Sequence, residues 1–186
     1  MNVLILPENS DHDPHMLEPL LKALFKQLGK PQANVRICRD PSFKGITTAL
    51  NRANLDEVFQ RYDYLNPIYI LVVDRDGIEG RETGVEGFRK SFGKPSFFAT
   101  CAIEEMETWL LAGCKLSSQW RWKDVRSEIK ISEGFFKSHV LAKGLSQTVG
   151  DGRQKLGQEA AANLPAILKK CKELKILAAQ LKEHFS

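Results

Sequence analysis

Apolar residues fall into two spacings along this chain, and the spacings alternate. Val3–Leu6 is a short unbroken apolar run, the pattern of a strand covered on both faces. Met16, Leu17, Leu20, Leu21, Leu24, Phe25 and Leu28 then recur at steps of three and four, which predicts a helix. Asp13-Pro14 can open that helix and Gly29 closes it, although Pro19 inside the run moves the expected start to near Glu18. Asn34–Cys38 alternates polar and apolar and reads as a strand. Ile46–Tyr62 reads as a helix capped by Thr47 or Thr48. Ile68–Val73, charge-free and rich in β-branched residues, reads as the central strand. Glu79–Phe92 is broken by glycines and predicts a loop with a short helix. Ser96–Ala102 predicts another strand and Glu104–Ala112 another helix.

This order of elements argues for an α/β fold, a mostly parallel sheet of about four strands flanked by helices. After Gly113 the texture changes. A short helix is expected around Lys123–Lys130, a loop over Lys143–Gly152, and helices over Gln154–Lys170, interrupted near Pro165, and over Glu173–His184. Residues 1–115 therefore read as the core. Residues 116–186 read as a helical extension packed on it within the same domain, and 186 residues suit one domain of ordinary size.

Composition narrows the classes. A hydrophobic content of 42% with 27% charged residues is that of a globular protein in water, and no apolar run reaches the length of a membrane span. The first apolar run is too short for a secretory leader and lacks a basic start, so a cytoplasmic location is expected and no membrane partner. Cys38, Cys101, Cys114 and Cys171 form no Cys-x-x-Cys pair, which predicts reduced thiols and argues against zinc. The net charge of +4 is uneven. Residues 1–115 carry 14 basic and 16 acidic side chains, a net of −2; residues 116–186 carry 13 and 7, a net of +6. An acidic centre beside a basic extension suits a polyanion such as nucleic acid.

The central strand stops at Asp74-Arg75-Asp76-Gly77. In open α/β sheets ligands gather beyond the carboxyl ends of the strands. Two carboxylates placed there repel each other unless a cation intervenes, and Mg²⁺ takes carboxylates together with phosphate oxygens. A plain polar turn is the competing reading, since Asp and Gly are common turn residues. Glu8 follows the first strand through Pro7, and the fold places that strand end beside Asp74. Glu8, Asp74 and Asp76 are therefore expected to converge. Glu104, Glu105 and Glu107 follow the last strand. Glu104 and Glu107, spaced i and i+3, are expected on one helix face, where the helix dipole alone also favours acids. Two metal ions held by such carboxylates are a standard solution for phosphodiester hydrolysis. Arg153 and Lys155 open a later helix and form a candidate phosphate site, and Arg75 stands between the two aspartates as another phosphate contact. His12 and His15 lie near Glu8 as candidate proton carriers.

On Leu6-Pro7-Glu8, Val73-Asp74-Arg75-Asp76-Gly77, Ile103-Glu104-Glu105-Met106-Glu107-Thr108-Trp109 and Gly152-Arg153-Gln154-Lys155-Leu156-Gly157, the chain resembles the Toprim (topoisomerase–primase) superfamily. It is most similar to a small stand-alone branch related to the OLD-family and RloB-type abortive-infection nucleases. That resemblance implies a Mg²⁺- or Mn²⁺-dependent nuclease acting on DNA or RNA, with a role in phage defence beside a partner ATPase. Within it Glu8 is a general acid/base or metal ligand, Asp74 and Asp76 hold the metal, and Glu107 completes the site. Asn9 departs from the pattern, because Toprim nucleases often have glycine directly after the first glutamate. No tyrosine stands in a nucleophile context, which argues against topoisomerase chemistry. Two readings compete with a nuclease. One is a receiver-like signalling module, which needs an acidic pair after the first strand, where Asp11 and Asp13 are poor candidates, and a lysine after a fifth strand. The other is a non-catalytic subunit that binds Mg²⁺ and a protein partner.

Overall fold

The computed structural model describes residues 1–186. Four strands, β1 (Asn2–Pro7), β2 (Asn34–Ile37), β3 (Ile68–Asp74) and β4 (Phe97–Ala102), form one sheet in the order β2-β1-β3-β4, and every pairing is parallel. Ten α-helices surround it. The expected α/β architecture is the one found.

Side chains alternate across a strand, so each strand supplies both faces. Val3, Ile5, Ile70, Val72 and Phe98 face α1 (Pro14–Gln27) and the later helices. Leu4, Leu6, Tyr69, Leu71, Val73 and Phe97 face the opposite layer. That layer is α2 (Ile46–Ala49), α3 (Arg52–Tyr62) and α4 (Arg81–Lys90). With both faces covered, β3 has to be apolar from Ile68 to Val73, and its first polar residue is Asp74 at the rim. In the second layer Phe59 meets Tyr69, Phe92 and Phe97 edge to face, with ring centroids 4.8–5.4 Å apart. Such pairs contribute about 0.5–1.5 kcal/mol each beyond the area they bury.

Several local expectations are corrected. The first helix begins at Pro14 and not near Glu18, with Pro19 inside it. Pro19 leaves the His15 carbonyl without its helical donor, and Gly157 of a later helix packs there; a Cβ at Gly157 would lie 2.7 Å from that oxygen. The expected Ile46–Tyr62 helix is two helices. Asn51 interrupts it and caps the second by accepting a bond from the Asn54 amide, while Thr48 makes only local turn bonds. Arg81–Lys90 is fully helical in spite of Gly84 and Gly87, because Val85 is buried and Phe88 packs on the core. The helix after β4, α5 (Glu107–Gly113), starts three residues later than expected.

The extension comprises α6 (Trp122–Ser127), a π turn at Ser132–Phe136, α7 (Lys137–Ala142), α8 (Arg153–Ala162), α9 (Leu164–Lys170) and α10 (Lys172–His184). The break near Pro165 falls at Asn163 as expected, whereas α7 carries no clear signal in the sequence. The extension shares the larger hydrophobic core with α1 and α5. Gly113 lets α5 lie against α8, since a Cβ there would stand 2.7 Å from the Ala160 Cα. No helix is long and apolar enough to cross a membrane. All four cysteines are buried and free.

Candidate functional site

The chain leaves β1 toward β2 through α1, on one face of the sheet, and leaves β3 toward β4 through α4, on the other. The carboxyl ends of β1 and β3 therefore flank the crevice where strand order reverses, the usual ligand position in such sheets. Glu8 and Asp74 stand at that point. Although 66 residues apart, they are joined directly, because Glu8 Oε2 accepts the Asp74 backbone N–H at 2.9 Å. Glu8 is held from its other side by the segment leading into α2, where the Gly45 amide donates to its carbonyl at 2.9 Å.

Two further carboxylates complete the crevice. Asp74 Oδ1 accepts the Met106 N–H at 2.9 Å, which ties β3 to the residue before α5. Glu107, the first residue of α5, is buried and bound by Arg153, whose Nε and Nη2 both reach Glu107 Oε1, at 2.8 and 2.5 Å. Arg153 also donates to the Gly150 carbonyl and lies over the Phe136 ring. Asp13, beside α1, is buried, and its Oδ2 accepts the Asn9 N–H at 2.7 Å. It makes no side-chain bond into the helix it precedes. Asp13 was legible in the sequence only as a helix opener. Its inward turn depends on the Glu8–Asp13 loop folding back, which no local pattern announces.

Burial and mutual repulsion raise the proton affinity of Asp74, Asp13 and Glu8. Burial, then Glu107, Asp13, Glu8 and Asp76, push the Asp74 carboxyl well above the usual carboxylate range; all four neighbours are acidic. Burial chiefly, with Glu107 and Glu8 adding, pushes Asp13 up to about 7, against the pull of the Asn9 amide and Arg153. Glu8 is raised mainly by burial, with the Asp74 amide opposing and Asp76 adding.

The remaining candidates divide. Asp76 sits on the exposed edge with φ at 50°, paired with Arg81 at 2.7 Å, and Arg81 also donates to the Asp74 carbonyl at 2.8 Å. Glu104 does not share a helix face with Glu107. Its φ is 61°, and its carbonyl accepts the N–H groups of Arg75 and Asp76. Its buried carboxylate pairs with Arg75 and accepts the Gly77 N–H at 2.8 Å. Glu104 and Arg75 thus clamp the loops after β3 and β4 together. Glu105 accepts the Ser132 N–H at 2.6 Å and ties the core to the extension. Lys155 is exposed on α8, whereas Arg153 is committed to Glu107. His12 is exposed and His15 half-buried.

The donors in the crevice are all oxygen, the set that hard divalent cations take. Glu8, Asp13 and Asp74 each have one oxygen bonded to a backbone amide, and none is sealed away as an unpartnered buried atom. The donor chemistry fits Mg²⁺ or Mn²⁺. As placed, no three of the acids, histidines or cysteines stand close enough to hold a metal ion together.

No protein-family model and no curated protein matches this chain. A solved structure of the C-terminal region of the OLD protein of Xanthomonas campestris pv. campestris is similar over 96% of both chains, at 14% identity and a TM-score of 0.40. A likeness of that degree says nothing about chemistry.

Proposed function

We propose that this chain is a divalent-metal-dependent nuclease of Toprim kind, hydrolysing phosphodiester bonds in DNA or RNA. The observation that carries the reading is the junction of Glu8 with the Asp74 backbone at the switch point, in a crevice that also holds Asp13 and Glu107. Glu107 is offset by Arg153, but packing Glu8, Asp13 and Asp74 into one partly buried crevice is unfavourable unless a cation or protons are taken up there. Glu8, Asp74 and Asp76 are the residues that would hold Mg²⁺ or Mn²⁺, once their side chains draw together and Asp76 leaves Arg81. A divalent ion held by these residues would supply charge stabilisation for the phosphoryl oxygens and a more acidic water.

The chain's own groups have separable tasks. The Met106 and Asp74 amides fix the orientation of Asp74 and Glu8. Arg81 offsets Asp76 and anchors the end of β3, and Arg153 offsets Glu107. Arg75 is occupied by Glu104 and Glu82, so its part is to hold the rim in place and not to grip phosphate. Asp13 and Glu8 are the carboxyls placed to accept a proton from an attacking water. A receiver-like module finds no support here, because the sheet has four strands and no lysine faces Asp74.

The test is cleavage of plasmid DNA and of structured RNA by the full chain with Mg²⁺ or Mn²⁺. EDTA and Asp74→Asn serve as controls, and Mn²⁺ binding is followed by electron paramagnetic resonance. Cutting and Mn²⁺ binding that are both lost in Asp74→Asn are expected. Mn²⁺ binding that survives the substitution undiminished would sink the assignment. Cutting that appears only when an ATPase is added would make this chain the nuclease subunit of a two-part system.

A further inference from the structure

The helices that begin at the crevice, α1 after Asp13 and α8 at Arg153, run on side by side from it. Gly157 permits their close approach, and the Gly150 backbone packs on the His15 ring. Where they meet, the surface opens into a cavity of about 440 Å³ lined mainly by polar and charged side chains, with Pro14 and Pro19 as its apolar members. Its donors are His15, Lys22, Gln154 and Gln158 from the two helices, and Arg39 from the segment after β2. Glu18 is the one carboxylate in the lining, and Lys22 already binds it at 2.6 Å. Arg39 is exposed and has no ion-pair partner. His15 takes part in the packing of the two helices, whereas Lys22, Arg39, Gln154 and Gln158 are exposed. This seam of donors is a surface on which anionic oxygens can replace water.

We infer that this seam carries the sugar–phosphate backbone of the substrate strand next to the phosphodiester being cut. The inference rests on the nuclease reading for its direction but makes a separate claim about affinity. Charge complementarity decides the occupant. A net excess of cation and amide donors, with two prolines as the only apolar side chains, suits a phosphate-bearing strand and gives an apolar peptide little to bury. The crevice repels phosphate when no metal is bound, so the seam supplies the attraction that brings the strand in. DNA and RNA share this backbone, and paired oligonucleotides distinguish them.

The experiment is fluorescence anisotropy of 12-nucleotide single-stranded DNA and RNA with the full chain in EDTA. Wild type is compared with the double variant Arg39→Glu/Gln158→Glu and with a charge reversal on the far helix α10, Lys175→Glu. Both substituted positions of the double variant are exposed, and a thermal melt checks that it folds. Expected is at least a tenfold loss of affinity in the double variant and little change in Lys175→Glu. The dependence of log affinity on log salt should become shallower by about 0.7 for each phosphate that the variant no longer neutralises. Equal losses in both variants, affinity within twofold of wild type, or no binding by wild type would each overturn the seam. Metal-dependent cutting read in parallel separates the two claims. Cutting that survives with unchanged oligonucleotide affinity refutes the seam alone, and Arg39-dependent binding without any cutting refutes the nuclease alone.

Discussion

Around the carboxyl end of this sheet, buried and half-buried carboxylates are treated in two different ways. Glu104 is saturated, with Arg75 on one oxygen and the Gly77 amide on the other. Glu173 is likewise satisfied by the Trp109 indole N–H at 2.7 Å and Arg126 at 2.6 Å. Glu8, Asp13 and Asp74 are held by backbone amides alone, with no cation paired to their carboxylates, and repel one another. A buried charge that is fully paired holds loops in register; a buried charge left half-paired among its own kind is unstable by itself and suited to a cation. The contrast separates the carboxylates that build the rim from those that can work at it, even though Glu104 and Asp74 look alike in sequence.

The comparison can be broken most sharply at Glu104. Glu104→Gln leaves Arg75 in a mostly enclosed position with only the more distant Glu82, at 3.5 Å, as a charge partner. Chemical denaturation should show a loss of about 3 kcal/mol, the range seen when one member of a buried pair is removed, with Mn²⁺ affinity retained. Asp74→Asn should do the reverse. Cutting should fall on the order of 100-fold, about 3 kcal/mol of transition-state stabilisation, while the melting temperature holds or rises as repulsion is relieved. If Asp74→Asn were the more destabilising of the two, the division between builders and workers would fail. Gly157→Ala should affect both at once. Its Cβ meets the His15 carbonyl and pushes α8 off α1, for about 1–3 kcal/mol of overpacking, and it loosens the Arg153 grip on Glu107.

The smallest effect is in the pH dependence. Asp13 has a folded-state pKa raised from 3.8 to about 7. The stability this provides is complete below pH 3.8 and is lost as pH rises through 7, with a slope of at most about 1.4 kcal/mol per pH unit for one proton. Asp13→Asn should flatten that decline in metal-free denaturation curves. His139, buried against Trp120 with its Nε2 unpartnered, has the opposite sign. Burial chiefly, then Lys143, lowers its pKa from 6.5. Stability tied to neutral His139 is complete above pH 6.5 and falls on acidification, and a His139→Gln variant should lose that acid-side slope.

The fold was legible because its signal is local. A run such as Ile68–Val73 can only be a strand covered on both faces, and the heptad-like spacing from Met16 to Leu28 can only be one helix face. Where the reading slipped, tertiary contact had overruled propensity. Pro19 is accepted inside α1 because Gly157 covers the carbonyl it leaves free. Gly84 and Gly87 are accepted in α4 because Val85 and Phe88 pack on the core. The meeting of Glu8 with Asp74 could be expected from their places at strand ends, since parallel topology dictates which strand ends adjoin, whereas Asp76 lies on the exposed edge beside Arg81. Asp13, Glu104 and Arg153 could not be placed, because each acts through a partner that sequence distance conceals.

The amino-acid order by itself determined where the four strands and most of the helices lie, that the sheet is mostly parallel, and that acids stand at its carboxyl rim; hydrophobic periodicity and turn chemistry are properties of short stretches. Tertiary structure alone decided which of those acids are neutralised and which are not. That outcome depends on where a guanidinium or amide tens of residues away comes to rest, and a few ångströms of approach in a poorly solvated crevice determine whether a carboxylate is a strut or a reactive group.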